Sequence, residues 1–273
     1  MVSLDLEARL PAEADDRLRG RLLHHGKALV GTAGIRPGDR VLEIGCGTGH
    51  LAEFVARIVG PQGRVVGLDP RTVAIDIARR RTLPNFTACV GTADDLYLLE
   101  NASFDVVLMN SMFHWIQNQE QSLAEAARVL RQGGRIGISA LAKKPPHTWQ
   151  VLFDEVFRSA GLGDSAGRPW ISAYRLDSDE LSHLLAKVGF QATSVGLRPF
   201  VDYFADVGEV IDFEFSALNS LGNSTGNFFA GLPAEKRAKV RAALAHELGA
   251  YETPSGISLD RHMIFALARK LCG

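Results

Sequence analysis

Five short apolar runs, at about 40–44, 64–69, 85–90, 104–109 and 134–140, punctuate the first half of the chain. They are nearly continuous rather than alternating, which predicts strands covered on both faces, as in a parallel sheet. The segments between them carry apolar residues at helical spacing, for example Leu51 to Val59 and Thr72 to Arg81. Pro61-Gln62-Gly63 and Arg131-Gln132-Gly133-Gly134 end helices and start strands. This alternation of strand and helix predicts a doubly wound α/β sheet. Ahead of it, Leu18, Leu22, Leu23, Leu29 and Val30 give an approximate helical stripe within the charged residues 1–33.

After Leu141 the rhythm changes at Lys143-Lys144-Pro145-Pro146. A helix is predicted with Trp149, Leu152, Phe153, Val156 and Phe157 on one face. Ser178-Asp179-Glu180 is placed to cap a further helix through Val188, ended by Gly189. Ala192 to Tyr203 reads as a strand and Val207 to Leu218 as a helix, followed by a polar loop, Asn219 to Asn227, expected to open and close over a pocket. Pro233 opens a helix through Leu248 with Val240, Leu244 and Leu248 facing a core, and residues 257–268 form a last strand. The expected organisation is a core over residues 1–142. The remaining residues, 143–273, complete the sheet and add helical insertions at about 143–175 and 205–254.

The chemistry concentrates at two strand ends. The first strand runs into Glu43-Ile44-Gly45-Cys46-Gly47-Thr48-Gly49-His50, and the second ends in Asp69. Glycines allow backbone angles and close approaches that a Cβ forbids, and an acid at the tip of the next strand can accept two hydrogen bonds from a ribose diol. The dinucleotide fingerprint is G-x-G-x-x-G; here the third glycine of that pattern is replaced by His50. A carboxylate at Glu43 repels phosphates and suits a ligand with a cationic portion. Asp69 also admits a structural reading as the cap of the helix that follows Pro70.

The string E-x-G-x-G-x-G with Asp69 resembles the class I S-adenosylmethionine-dependent methyltransferases, in particular the UbiE- and BioC-like small-molecule enzymes of methyltransferase type 11. Val90-Gly91-Thr92-Ala93-Asp94-Asp95-Leu96 is similar to the family's third-strand turn, where adenine is read, and Ser103 to Asn110 to its fourth strand. Leu123 to Leu130 and Arg131 to Ile138 are similar to its next helix, glycine turn and fifth strand. The resemblance covers roughly residues 20 to 142. It implies a mostly parallel, seven-stranded Rossmann-like sheet with a helical insertion in the C-terminal half, and a late strand inserted antiparallel at the sheet edge. It also implies S-adenosyl-L-methionine as cofactor, held by Glu43, Gly45, Cys46, Gly47, Gly49, Asp69, Pro70, Thr92, Ala93 and Asn110. Many members carry an acid where Thr92 stands, so the side-chain contact to adenine is open at that position.

Asn110 to Trp115 lies beyond the fourth strand, where ligands of open α/β sheets bind. His114 is the candidate general base, since histidine titrates near neutrality, with His147 second. The other reading of His114 is a residue that only shapes the pocket. Phe113 and Trp115 either pack on a ligand or fill the core, and His24 and His25 are expected at the surface. Trp170, Tyr174, Phe200, Tyr203, Phe204, Phe213, Phe215, Phe228 and Phe229 line a substrate chamber or fill an ordinary core.

Composition narrows the partners. Lys+Arg of 30 against Asp+Glu of 31 leaves no basic face, so nucleic acid is not expected as a partner. Cys46, Cys89 and Cys272 are far apart, and are expected as free thiols with no metal site. No apolar run reaches a membrane span and no secretory signal is present, so a cytoplasmic location is expected, with a homodimer as the candidate assembly. The expected activity is transfer of a methyl group to oxygen, carbon or sulfur of a small molecule. The alternatives are an NAD(P)-dependent oxidoreductase or a non-catalytic S-adenosylmethionine-binding protein.

Overall fold

A computed structural model of the chain describes residue 20 and residues 23–161, 174–219 and 232–271, with the backbone alone for 215–219. The expectations at Leu18, Leu22, Trp170, Phe228, Phe229, Cys272, the Phe215 side chain and loop residues 220–227 lie outside the described residues. The chain divides into two compact units. Among the described residues the larger holds 20, 23–144, 174–198 and 263–271, and the smaller 145–161, 199–219 and 232–262.

The larger unit alternates α1 (Leu23–Ala33), β1 (Arg40–Ile44), α2 (His50–Val59), β2 (Arg64–Asp69), α3 (Thr72–Ala78), β3 (Phe86–Val90), β4 (Phe104–Asn110), α4 (Gln119–Val129) and β5 (Leu130–Leu141). It continues with α6 (Ser178–Lys187), residues 190–198 of β6 (Phe190–Phe204) and the end of β8 (Gly256–Lys270). The strand order is β3-β2-β1-β4-β5-β8-β6, seven strands on one path, with the two-residue β7 (Glu252–Thr253) attached to β8. β1 pairs in parallel with β2 and β4, β2 with β3, and β4 with β5. β8 runs antiparallel to β5, from Arg135 opposite Arg269 to Leu141 opposite Met263. It lies between β5 and β6 rather than at the edge, which is a correction to the sequence reading.

The apolar runs pair centrally because both their faces are covered. On one face Leu42, Ile44, Val66, Leu68, Val107, Met109, Ile136 and Ile138 pack with Leu123, Ala126 and Val129 of α4 and Leu181 and Leu185 of α6. α1 packs on β4 and β5, and α2 on β2. At Gly137 a Cβ would stand 3.2 Å from Leu108 of β4 and 3.4 Å from both Ala33 and Leu29, so a side chain there would press on β4 and just meet α1. α6 begins one residue earlier than the sequence suggested. Asp177 is its cap, accepting from the Glu180 N–H while the Glu180 side chain accepts from the Asp177 N–H.

The smaller unit contains α5 (Thr148–Ser159), α7 (Val207–Asn219) and α8 (Ala234–Gly249), with α8 packed on both of the others. Val240, Leu244 and Leu248, one turn apart, are fully buried. Trp149, Phe153, Val156 and Phe157 are the buried stripe of α5. Inside this unit the Arg261 guanidinium binds Asp202 and Glu214 and lies over the rings of Trp149 and Phe213. Among the aromatic candidates Phe204 and Phe213 are thus core, whereas Tyr203 is exposed. Among the described residues no helix is long and apolar enough to cross a membrane.

The Arg135 side chain fixes the end of α1 to the sheet. Its Nε donates to the Ala33 carbonyl (2.6 Å), and its Nη2 to the Gly34 carbonyl (2.8 Å) and the Asp39 carboxylate (2.6 Å). Both partners of the ion pair are mostly buried. Arg135→Ala leaves an acid and two helix-end carbonyls without their donor, and is expected to cost about 2–4 kcal/mol. Urea denaturation monitored by circular dichroism measures it; a loss below about 0.5 kcal/mol, the range of neutral surface changes, contradicts the assignment.

Candidate active site

The loop 45–49 leaves β1 through three glycines with left-handed backbones, φ 75° at Gly45, 54° at Gly47 and 83° at Gly49. The N–H groups of Gly45 and Cys46 both donate to the Leu68 carbonyl, at 2.7 and 2.8 Å, which pins the loop to the end of β2. A Cβ at Gly45 would lie 2.7 Å from Met112, so this glycine is enforced by contact as well as by angle. Gly47 is different: the nearest atom to its missing Cβ is Arg71 Nη2 at 3.5 Å, so the loop is open on that side.

Asp69, at the end of β2, is buried, and three N–H donors engage it. Gly47 N–H donates to Oδ2 at 2.9 Å, and Arg71 donates to Oδ1 from both its backbone N–H and its Nε, each at 3.0 Å. Asp69 is not the cap of α3: the capping position is Arg71, without a side-chain cap bond. α3 also ends at Ala78, short of the predicted Arg81. The freed Arg81 reaches back to the glycine loop, donating from Nε to the Thr48 carbonyl (2.6 Å) and from Nη1 to Glu53 of α2 (2.6 Å), with Nη2 3.1 Å from His50 Nε2. Sequence reasoning missed Arg81, because Arg79-Arg80-Arg81 reads simply as the basic end of a helix.

Glu43 stands in β1 opposite Gly67 and Leu108 and is 3% exposed, and its Oε2 has no hydrogen-bond partner. Burial pushes its carboxyl well above the usual carboxylate range, and the neighbouring Asp69 charge adds to the shift. Burial, followed by the charges of Glu43 and Asp69, likewise raises the Cys46 thiol far above its ordinary value, so it is held as an unreactive thiol. A buried carboxylate oxygen without a donor, beside a loop that a Cβ would obstruct, fits a ligand that brings a cationic group to Glu43 and hydroxyls to Asp69.

At the end of β4, Asn110 Oδ1 accepts from Ser139 Oγ at 2.8 Å. The next residue, Ser111, adopts a left-handed φ of 52° and donates its N–H to the carbonyl and hydroxyl oxygens of Ser139. A Cβ at Gly26 would lie 2.8 Å from Leu51 and 3.2 Å from Asn110 Nδ2, so α1 closes tightly over this corner. Phe113 is core and Trp115 half-buried. His114 is buried, with Nδ1 accepting the Leu141 N–H at 3.2 Å, which places the proton of its neutral ring on Nε2. Pro70 and Thr92 are exposed, Ala93 is half-buried, and Thr92 forms a bridge with Asp95.

His24 is exposed as expected. His25 is buried, contrary to expectation, because it stands one turn before Leu29 on the face of α1 that packs on the sheet. His147 belongs to the smaller unit. Its Nδ1 accepts from the His262 N–H (2.7 Å), and its ring stacks on Trp149 and His262.

A family profile described as a methyltransferase domain matches residues 41–134. The chain is 35% identical over 124 residues to the demethylmenaquinone methyltransferase of Symbiobacterium thermophilum, a stretch covering 44% of this chain and 49% of that protein. The chain spans about half the length, or less, of the curated relatives it matches. Among solved structures, the YcgJ protein of Bacillus subtilis superposes with a TM-score of 0.57 at 19% identity, covering 92% of this chain and 99% of that one. The [4+2]-cyclase SpnF superposes with a TM-score of 0.57 at 20% identity, covering 91% and 81%. At these identities the structures show a shared fold alone.

The state of Glu43 makes a prediction without any ligand. Its folded-state proton is held more tightly than in the unfolded chain, so its contribution to stability is fully present below the unfolded carboxyl value, near 4.5. It is lost as pH rises through the raised folded value. Glu43→Gln removes this penalty. The variant's melting temperature is expected to match the parent's at low pH and exceed it progressively toward pH 8. Melting curves recorded across that range test it, and a constant difference between the two proteins contradicts it.

Proposed function

With residues 41–134 belonging to the class I S-adenosylmethionine-dependent methyltransferases, we propose that the chain transfers a methyl group from S-adenosyl-L-methionine to a small-molecule acceptor. The observation that carries this reading is the unpaired, buried carboxylate oxygen of Glu43, on the strand next to Asp69. A nicotinamide dinucleotide presents phosphates to this loop, which further disfavour ionising the buried Glu43, whereas a sulfonium amino acid attached to adenosine presents a cation that favours the ionised Glu43 and a diol for Asp69. Glu43 then accepts from the amino group and Asp69 from the ribose. The glycine loop, with Cys46, forms the floor, and Pro70, Thr92, Ala93 and Asn110 border the nucleoside.

The cofactor supplies an electrophilic methyl carbon on sulfur, so the chain's part is to hold, orient and keep water out. His114 enters this proposal through its position at the end of β4. Its Nδ1 lone pair is engaged by Leu141, so it orients the loop 110–115, and an acceptor that is already ionised, such as a carboxylate, thiolate or phenolate, needs no base. Residues 1–142 are assigned to the cofactor and 143–273 to the acceptor side, with small molecules rather than nucleic acid as acceptors and a homodimer as the working assembly. The relative from Symbiobacterium, by its name a quinone-precursor methyltransferase, makes quinols the first acceptors to test.

Calorimetric titration with S-adenosylmethionine, S-adenosylhomocysteine and NAD comes first, followed by turnover with quinols, phenols, fatty and dicarboxylic acids and thiols, reading release of S-adenosylhomocysteine. Binding of NAD in preference to the adenosyl sulfur ligands overturns the reading, as does methylation of RNA or protein with no small molecule accepted. Asp69→Ala removes charge-assisted hydrogen bonds worth about 1.5–3 kcal/mol each, so S-adenosylhomocysteine affinity is expected to fall at least about tenfold. Unchanged affinity removes Asp69 from the ribose site. Gly47→Val forces a β-branched residue into a left-handed backbone. It is expected to abolish binding with a limited loss of melting temperature, and a variant that binds as tightly as the parent contradicts the loop's role.

A further inference from the structure

We infer that Arg71 is an internal competitor for the ribose-recognising carboxylate: its guanidinium closes on Asp69 and is displaced when an adenosine ligand binds. The inference rests on the function proposed above and adds a residue to it that the glycine motif does not contain.

A carboxylate oxygen offers about two acceptor directions. Oδ2 of Asp69 uses one of its directions for the Gly47 N–H, while both directions on Oδ1 are taken by Arg71, one by the backbone N–H and one by Nε. A diol that donates two O–H bonds to this carboxylate therefore finds one open direction on Oδ2 and none on Oδ1. Two of the three resident donors are backbone groups, fixed by the glycine loop and by the entry to α3. The Nε contact alone is made by a side chain, and it is the one that can leave.

The surroundings of Arg71 suit such an exchange. Its side chain is 25% exposed against 7% for Asp69, so the guanidinium can swing out without carrying a bare charge through the core. Arg71 itself has an extended backbone, φ −87° and ψ 111°, one residue before the first turn of α3, so its movement leaves the helix intact. Its Nη2 lies across the open side of the loop at Gly47, where no other described atom is within 4 Å of the missing Cβ. With the ion pair closed, Asp69 is neutralised by a chain-borne cation; with it open, the acid is presented to a neutral diol. Arg71 thereby lowers affinity for every adenosine ligand by a constant factor, and the factor depends on the diol, not on the sulfur substituent.

The test is calorimetry of the parent, Arg71→Ala and Arg71→Lys with S-adenosylhomocysteine and with its 2′-deoxy analogue, at low and high sodium chloride. A partly exposed ion pair of this kind is worth about fivefold in an equilibrium constant, so Arg71→Ala is expected to bind S-adenosylhomocysteine about fivefold more tightly. The gain is expected to be smaller for the 2′-deoxy analogue, and Arg71→Lys, which lacks Nε as a donor, should show part of it. Salt should strengthen binding by the parent relative to Arg71→Ala, since it screens the competing pair. Equal or weaker binding by Arg71→Ala, or an equal gain with the 2′-deoxy ligand, overturns the competitor role and leaves the methyltransferase reading standing. If neither the parent nor either variant binds S-adenosylhomocysteine, the methyltransferase reading falls and the competitor falls with it. Should Arg71→Ala fail to fold, Arg71→Lys carries the same comparison.

Discussion

Two carboxylates carried into the interior on adjacent strands set the terms for the whole site. Glu43 and Asp69 are both at most 5% exposed, and burial together with the Asp69 charge raises the cost of ionising Glu43. Burying charge is tolerable only where donors replace water. Asp69 obtains three, from Gly47 and Arg71, and Glu43 leaves an oxygen without any. The loop between them serves this need. Its left-handed glycines turn the Gly47 N–H toward Asp69, and Arg81 holds the Thr48 carbonyl on the far side of the turn. The sheet's role is to hold the two acids at fixed spacing, since β1 and β2 are hydrogen-bonded in register from Arg40 opposite Arg64 to Ile44 opposite Leu68.

The fold was legible where local pattern and tertiary environment agree. β1, β2 and α8 fall where apolar runs, a glycine turn and a proline start placed them, because a strand covered on both faces has to be apolar throughout and a helix on a core has to be apolar every three to four residues. The turn through Gly45, Gly47 and Gly49 and the acid that ends β2 were legible for a like reason: left-handed backbone angles call for glycine, and the apolar run of β2 stops at Asp69. Arg71 and Arg81 were not. Arg71 turns back on Asp69 two residues before it, and Arg81 reaches across 33 residues to Thr48; nothing in the neighbouring sequence distinguishes either from a solvated arginine. His25 was misplaced because a polar residue on a helix face that is otherwise glycine, leucine and valine reads as an interruption of the stripe rather than a member of it.

The smaller unit shows the same limit more sharply. Asp202, Glu214 and Arg261 come from β6, α7 and β8, and each is at most 6% exposed. Taken singly they read as surface charge; together, over Trp149 and Phe213, they form a buried group in which removing one member strands the others. The Phe213 ring lies against that guanidinium and against the Phe204 ring.

The placement of β8 has a consequence for the order in which this molecule is made. A strand covering residues 256–270 inserts between β5, which ends at Leu141, and β6, which ends at Phe204. On a ribosome, β5 and the residues of β6 therefore emerge long before the strand that joins them. Each of the two presents an open row of N–H and C=O groups during that interval. The five parallel strands from β3 to β5 have all their mutual partners by residue 141, so that half can assemble early as one body. Closing the sheet is left to a late, long-range, antiparallel docking step, of the kind that makes nascent chains depend on chaperones and on the pace of translation.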